Sequence, residues 1–250
     1  MKKNEKTKEK VTFKKWLADN FKALLWALLI ALTVRSCAFE PFNIPSGSMI
    51  PSLLIGDYLF VNKASYGYSR HSFPFSLPII PTGRAFYTQP ERGDVVVFRL
   101  PSDTSVDYIK RVIGLPNDKI QVKKGILHIN GEPIKRNFIK MVKENNAIYS
   151  LYDEVLPNGF SHQIWELSDN MPQDDTPEYI VPEGHFFMMG DNRDNSKDSR
   201  WLEEVGYIPK ENLVGKALFL FYSNNGTSPF LFFWNWGESI RWDRLFSKIK

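Results

Sequence analysis

The sequence has little of what disulfides and metal sites require. It contains a single cysteine, Cys37, so no disulfide can form within the chain and no cluster of thiolates can hold a metal ion. The four histidines are scattered, and none has a partner at the spacing of a helical zinc site. They are His71, His128, His162 and His185. We therefore expect neither a metal nor any other cofactor.

Net positive charge is also absent outside the N-terminus. The formal net charge is +4 at pH 7, yet residues 1–22 alone hold eight lysines against three acidic residues. The rest of the chain is close to neutral, which argues against a surface that binds nucleic acid. The length of 250 residues and the 43% hydrophobic content suffice for one domain with a smaller elaboration.

There is one long apolar run, residues 23–34, and it is short for a membrane span. As a helix it covers about 18 Å of a hydrocarbon core roughly 30 Å thick. The helix becomes long enough if it includes Phe21 and Phe39 and if Arg35 extends toward the head groups. We therefore predict one transmembrane helix over 20–40. The preceding lysines keep the tail 1–19 in the cytoplasm and place the rest on the outer face. A cleaved signal peptide is an alternative, although Arg35 falls where small residues are needed, and so is a soluble helix.

Beyond this helix the periodicity changes to short runs that predict strands. The dipeptide Asn130-Gly131 between two such runs is typical of a tight hairpin. We predict a mainly β fold. Its main antiparallel domain comprises 41–135 and 180–222, with a smaller, less regular β-rich domain inserted at 136–179 and an aromatic, basic tail at 223–250. The proline-rich segment 66–92 is typical of a further insertion. The runs lie at 58–62, 94–100, 107–113, 119–122, 126–129, 185–189 and 214–222.

Two segments of the predicted β domain carry candidate chemistry. Ser46 and Ser48 flank a glycine in a loop stiffened by prolines, and glycine permits the close approach that a serine nucleophile needs. An ordinary turn explains the same pattern. In the strand predicted at 107–113, Lys110 shares a face with Tyr108, a half-buried setting that lowers a lysine pKa. An exposed lysine is the simpler alternative.

A third segment, residues 190–200, is rich in short polar side chains. A calcium-binding loop is the obvious alternative, but Arg193 occupies a ligand position and no glycine follows at the turn. We therefore expect a loop that folds on its own hydrogen bonds.

Together with residues 92–98, the three segments occur in the order found in bacterial type I signal peptidases, which the chain resembles over about 40–120 and 180–222. The matching stretches are Pro45-Ser46-Gly47-Ser48-Met49 with Pro51, Arg92-Gly93-Asp94-Val95-Val96-Val97-Phe98, Tyr108-Ile109-Lys110-Arg111 with Gly114-Leu115-Pro116, and residues 190–200. The resemblance implies an antiparallel β-sheet catalytic domain behind a membrane anchor. It also implies a membrane-bound serine endopeptidase that removes signal peptides from exported preproteins.

The same resemblance implies roles for individual residues. Ser48 is the expected nucleophile and Lys110 the general base, a Ser-Lys variant of the serine-hydrolase arrangement. The Ser46 hydroxyl and the Ser48 backbone N–H are the expected oxyanion hole. Ser196 is expected to orient the Lys110 amine, while an ion pair between Asp198 and Arg200 supports the loop.

The resemblance further implies narrow pockets for the first and third residues before the cut. Bulky walls leave little volume, so alanine fits and larger residues clash, which corresponds to an A-x-A specificity. The implied wall residues are Phe42, Ile44, Pro45, Met49, Leu53, Tyr108 and Ile109, for which a plain core position is the alternative.

Two other functions are open alternatives. A soluble, self-cleaving repressor-like protease uses a similar dyad, but the expected anchor and the lack of a basic DNA-binding region argue against it. A membrane-tethered β-domain that only binds a partner leaves the motif matches unexplained. We expect the partners to be preprotein signal peptides and the phospholipid bilayer, with the protein acting as a monomer. The C-terminal tail either contacts the membrane interface or packs on the domain.

Overall fold

The computed structural model describes residues 13–73, 80, 82–144, 146–227 and 233–249. Three expectations lie partly outside these residues. They concern the start of the cytoplasmic tail, the prolines at 74, 78 and 81, and the first aromatic residues of the C-terminal tail.

The helix predicted near the N-terminus is present, but its bounds differ. Helix α1 runs over Phe13–Cys37, so it begins before residue 20 and ends before residue 40. Asp19, Lys22 and Arg35 lie within it, so its longest run without a charged residue is 23–34. Among the described residues, no helix is both long enough and apolar enough to cross a membrane. The structure thus bears out the helix and does not show the span.

The remainder is mainly β, as predicted, with short 3-10 turns and one further helical turn, α2 (Trp236–Ser239). Every paired strand in the three sheets is antiparallel to its neighbour. The strands are β1 (Phe39–Asn43), β2 (Asp57–Asn62), β3 (Val95–Arg99), β4 (Asp107–Gly114), β5 (Lys119–Lys123), β6 (Ile126–Ile129), β7 (Glu132–Pro133), β8 (Lys135–Glu144), β9 (Ala147–Val155), β10 (Ser161–Glu166), β11 (Tyr179–Ile180), β12 (His185–Met189), β13 (Ile208–Pro209) and β14 (Leu213–Ser223).

The largest sheet has seven strands in the order β1-β2-β14-β3-β4-β12-β13. Its central strand β3 is apolar on both faces because both faces are covered. Val95 and Val97 belong to one buried cluster, which also contains Leu59. Val96 and Phe98 belong to a second cluster on the opposite face. Burying each such side chain contributes about 1.5–3 kcal/mol, which makes β3 and β4 a rigid base for the groups they carry.

A four-stranded sheet, β11-β5-β6-β7, contains the hairpin expected at Asn130-Gly131. Both residues have positive φ, 55° and 86°, which is the conformation that a two-residue primed turn requires. Ile129 on β6 lies opposite Glu132 on β7, so the turn joins the two predicted runs directly.

The inserted region 136–179 is more regular than its sequence predicts. It contains most of a three-stranded sheet in the order β10-β9-β8, and β8 is ten residues long. Most residues of β8 are exposed on both sides of the strand. Because neither face is buried, no alternation of polar and apolar residues appears in the sequence.

The described part of the C-terminal tail packs on β14. The Leu220 N–H donates to the Ser247 carbonyl at 3.0 Å, and the Phe246 N–H donates to the Leu220 carbonyl at 2.8 Å. Arg244 pairs with the buried carboxylate of Asp57 at 2.6 Å. Packing on the domain is therefore present, while Trp234 and Trp242 remain exposed. Contact with a membrane stays a prediction.

Candidate active site

The loop that carries Ser48 follows β1 and is held by backbone hydrogen bonds and by two buried side chains. The Ile50 N–H donates to the Gly47 carbonyl at 3.2 Å, and the Leu53 N–H donates to the Met49 carbonyl at 2.9 Å. The Met49 and Leu53 side chains are fully buried in the core beneath the loop. Ser48 itself is 8% exposed, so its hydroxyl lies at the edge of the protein interior.

Lys110 lies on β4, opposite Val96 of β3, and its side chain points into the protein. The residue is 4% exposed. Its Nζ donates to Ser48 Oγ at 2.7 Å and to the Ile109 carbonyl at 3.0 Å, and it lies 5.2 Å from the centre of the Tyr108 ring. The fold therefore joins two candidate groups that are 62 residues apart in the sequence.

The surroundings of Lys110 favour its neutral form. Burial lowers the pKa of Lys110 from 10.5 to about 8, although Asp198 and Asp191 act in the opposite direction and Arg200 again lowers it. With a pKa near 8, about a tenth of the amine is neutral at pH 7. A neutral amine in contact with a serine hydroxyl can accept its proton.

Ser46 lies beside Ser48 on the solvent side. The two hydroxyl oxygens are 3.5 Å apart, and Ser46 is exposed whereas Ser48 is buried. Its hydroxyl can therefore reach a carbonyl oxygen of a peptide that approaches Ser48 from solvent.

Ser196 lies close to the Ser48 main chain across Gly190. A methyl group added to Gly190 would come within 2.2 Å of Ser196 Oγ and 2.5 Å of the Ser48 carbonyl oxygen. The close approach explains why glycine stands here. Ser196 is buried, and among the described residues the hydrogen bonds of the Lys110 amine go to Ser48 and Ile109 and not to Ser196. The expected contact with the Lys110 amine is therefore not formed in this structure.

Asp198 and Arg200 form a buried, two-bond ion pair. Arg200 Nε donates to Asp198 Oδ1 and Nη2 donates to Oδ2, both at 2.9 Å. Burial alone would raise the pKa of Asp198, but the Arg200 guanidinium keeps it below its ordinary value. Asp198 Oδ2 also accepts from the Gly190 N–H at 3.0 Å, so the pair holds the residue that separates Ser196 from Ser48.

A cleft of about 530 Å³ opens at the Ser48–Lys110 pair. Five of the seven expected wall residues line it: Phe42, Ile44, Pro45, Tyr108 and Ile109. Met49 and Leu53 do not line it; they have no exposed surface and support the loop from the core, so their role as wall residues stays a prediction. The sequence did not reveal the other lining side chains, which are Asn43, Val97, Val106, Asp107, Asn195 and Lys197.

Comparison with known proteins identifies the family. The family described as "Signal peptidase, peptidase S26" matches residues 17–222. The chain belongs to the signal peptidase family. It is 40% identical to signal peptidase I of Rickettsia typhi, over 94% of this chain and 95% of that protein. It is 39% identical to signal peptidase I of Rickettsia prowazekii, over 97% of each. Membership makes the chain a serine endopeptidase, a hydrolase.

A solved signal peptidase I from Enterococcus faecalis V583 also matches, at 25% identity over 52% of this chain and 97% of that one. The TM-score is 0.32, too low to support any statement about the fold.

Within this signal peptidase, the sequence did not predict three interactions near the site. Asn192 Nδ2 donates to the Gly47 carbonyl at 3.0 Å, and the Asn192 N–H donates to the Ser48 carbonyl at 3.1 Å. Arg111, next to Lys110, forms a buried ion pair with Asp191 at 2.6 Å. Asn192, Asp191 and Arg111 lie in the motif stretches that carry the candidate groups. Their position in these stretches was the one sequence feature that could have indicated a role near the site.

The described residues of this signal peptidase contain no group of three or more histidine, cysteine, aspartate or glutamate side chains that could hold a metal ion.

Proposed function

We propose that this signal peptidase cleaves signal peptides after small residues of the A-x-A type, with Ser48 as nucleophile and neutral Lys110 as general base. The observation that carries the proposal is the 2.7 Å contact between Lys110 Nζ and Ser48 Oγ. The burial that lowers the Lys110 pKa to about 8 supports it further. A lysine with the pKa of a free side chain would be charged near neutrality and unable to accept a proton.

The reaction follows from these positions. Ser48 Oγ attacks the scissile carbonyl carbon and its proton moves to Lys110 Nζ. The oxygen that becomes negative accepts hydrogen bonds from the Ser46 hydroxyl and the Ser48 N–H. The C–N bond then breaks as Lys110 returns the proton to the leaving amine, and water hydrolyses the acyl-enzyme with Lys110 again acting as base. Ser196 orients the amine once substrate is bound, and the Asp198–Arg200 pair holds the loop.

Specificity is proposed to come from the apolar walls of the cleft. Phe42, Ile44 and Ile109 line the cleft beside Ser48, and bulky apolar walls favour small side chains over larger ones. Pro45 and Tyr108 complete the wall.

We also propose that α1 anchors the enzyme in the cytoplasmic membrane, with residues before it in the cytoplasm and the sheets on the outer face. Supporting this, α1 exposes large apolar side chains around its circumference, including Leu24, Trp26, Leu28 and Ile30. A helix that is apolar all round requires cover by lipid or protein. The enzyme should remain in the pellet after alkaline extraction, and protease added to spheroplasts should digest the sheets; release by alkali would contradict the anchor.

The dyad is tested with purified full-length protein in detergent and one preprotein. Ser48→Ala and Lys110→Ala should each lower kcat by about 10⁴ or more. Lys110→Arg should be equally inactive because a guanidinium cannot act as a base near neutrality. The parent's kcat/KM should fall about tenfold for each pH unit below about 8, as Lys110 becomes protonated.

Matched controls separate these effects from general damage. Ser105→Ala and Lys119→Ala remove the same groups at exposed positions, and both should retain parental activity. The assignment of the nucleophile fails if purified Ser48→Ala still cuts the preprotein at the same bond. The assignment of the base fails if Lys110→Arg does so.

A further inference from the structure

Two distant parts of the chain form one buried group of ionisable side chains beside the active site. Arg111 on β4, and Asp191 and Arg193 after β12, come from the seven-stranded sheet and its loop. Glu154 on β9 and His162 on β10 come from the three-stranded sheet. All five are buried, and we refer to them as the buried ion-pair cluster.

The cluster contains two paired guanidinium–carboxylate contacts. Arg193 donates to both oxygens of Glu154, with Nη1 at 2.8 Å from Oε2 and Nη2 bonded to Oε1. Arg111 donates to both oxygens of Asp191, at 2.8 and 2.6 Å. His162 Nε2 lies between the carboxylates, 3.5 Å from Glu154 and 3.8 Å from Asp191.

The charges in the cluster balance. Burial lowers the pKa of His162 to about 4, with Arg111 and Arg193 acting in the same direction and Asp191 and Glu154 opposing them. Neutral His162 therefore lies between two ion pairs, each of one arginine and one carboxylate. The charges cancel within each pair, so no further counter-ion is needed.

The loop held by this cluster contacts the nucleophile. Asn192 stands between Asp191 and Arg193, and it binds the Gly47 and Ser48 carbonyls through its side chain and its N–H. On the other side, the Trp165 N–H of β10 donates to the Asp191 carbonyl at 2.8 Å. Both neighbours of Asn192 are thus tied to the three-stranded sheet, and Asn192 is tied to the Ser48 loop.

Stability alone is a weak reason for such an arrangement. Taking charged groups out of water is costly, and replacing a buried ion pair by well-packed apolar side chains is often neutral or stabilising. A two-bond arginine–carboxylate pair does, however, fix the relative orientation of the segments that carry it more closely than apolar packing does. The pair between Glu154 and Arg193 is therefore better suited to orientation than to stability.

We propose that Glu154 is a positioning residue for catalysis: by binding Arg193, it orients the loop through which Asn192 sets Ser48 against Lys110. The three-stranded sheet is then part of the catalytic apparatus, although it contributes no group to the cleft. The proposal rests on the proposed roles of Ser48 and Lys110.

Two variants test it, with a soluble peptide that contains one A-x-A site as substrate. The pair Glu154→Leu with Arg193→Met replaces the ion pair by apolar side chains. Arg193→Lys keeps the charge but loses the two-bond geometry. Because misplacement of about 1 Å can lower a rate by about 10², both variants should show kcat reduced about 10- to 100-fold. KM should stay within about threefold and Tm close to the parent value, because neither the cleft walls nor the balance of charge changes.

The controls keep each outcome decisive. Lys119→Met, which breaks the exposed pair between Lys119 and Glu178, should leave kcat unchanged. Parental kcat in the apolar pair overturns the proposal, because the ion pair then only stabilises. If the apolar pair does not fold, parental kcat in Arg193→Lys overturns it instead. Ser48→Ala in the same assay distinguishes failure of the proposed function from failure of the role of Glu154. If Ser48→Ala is active, the proposed function is refuted. If Ser48→Ala is inactive while the cluster variants are fully active, only the role of Glu154 is refuted.

Discussion

Replacing Lys110 by methionine should abolish activity and at the same time stabilise the protein at neutral pH. Burial lowers the pKa of this lysine from 10.5 to about 8. At about 1.36 kcal/mol per pKa unit, keeping its charged form in the folded protein costs about 3 kcal/mol below pH 8. Methionine has a similar shape and no charge, but it loses the two hydrogen bonds of Nζ, which takes back about 1–2 kcal/mol. The expected net gain at pH 7 is about 1–2 kcal/mol.

The stability that Lys110→Met gains over the parent should decrease as pH rises. Between pH 8 and 10.5 the unfolded chain still binds a proton on Lys110, whereas the folded chain has released it. The parent protein therefore becomes more stable relative to the methionine variant as pH rises through this range. The difference should shrink by about 3 kcal/mol and reverse its sign near pH 10.

Urea unfolding of the full chain in detergent, at pH 7 and pH 10, measures this difference directly. Lys119→Met is the matched control, because its exposed side chain has no desolvation cost to relieve. The reasoning is refuted if Lys110→Met is the less stable protein at pH 7, or if its difference from the parent is the same at both pH values.

Three further substitutions test the surroundings of the dyad. Gly190→Ala should lower kcat tenfold or more, because the added methyl group meets Ser196 Oγ at 2.2 Å and the Ser48 carbonyl at 2.5 Å; steady-state kinetics with unchanged kcat would contradict this close approach. Ser46→Ala should lower kcat about 10²–10³-fold with little change in KM, as expected for one lost oxyanion donor; a change in KM alone would argue against that role. Ile109→Ala should allow cleavage after leucine in a peptide series, and unchanged selectivity would remove Ile109 from the pocket wall.

Many of the strands could be predicted from the sequence because they have a marked pattern. The run at 126–129, the Asn130-Gly131 turn and the strand at 185–189 appear where they were expected. Ser48 and Lys110 could be paired only through the resemblance to signal peptidases. Periodicity indicates which face of a strand is buried, but it does not indicate which loop lies against that face.

Other features depend on contacts that no local pattern contains. The alternation expected of a half-buried strand is absent from β8, because that strand is exposed on both sides. Met49 and Leu53 resemble pocket residues in sequence, yet the turn after Ser48 directs them into the core. The ion pair between Arg111 and Asp191 joins residues 80 positions apart, and only the fold brings them together.

The arrangement of arginines around the dyad explains how the pKa of Lys110 stays below its ordinary value beside two carboxylates. Asp191 and Asp198 are the two carboxylates that raise its pKa, and each is engaged by its own arginine, Arg111 and Arg200. Among the described residues, Lys110 forms no ion pair, and its bonded neighbours are a hydroxyl and a carbonyl. Were either carboxylate released from its arginine, its unbalanced charge would favour the ammonium form of Lys110 over the neutral amine that the proposed mechanism requires. Under the proposed mechanism, the two arginines would therefore assist the general base by balancing the charge of these carboxylates.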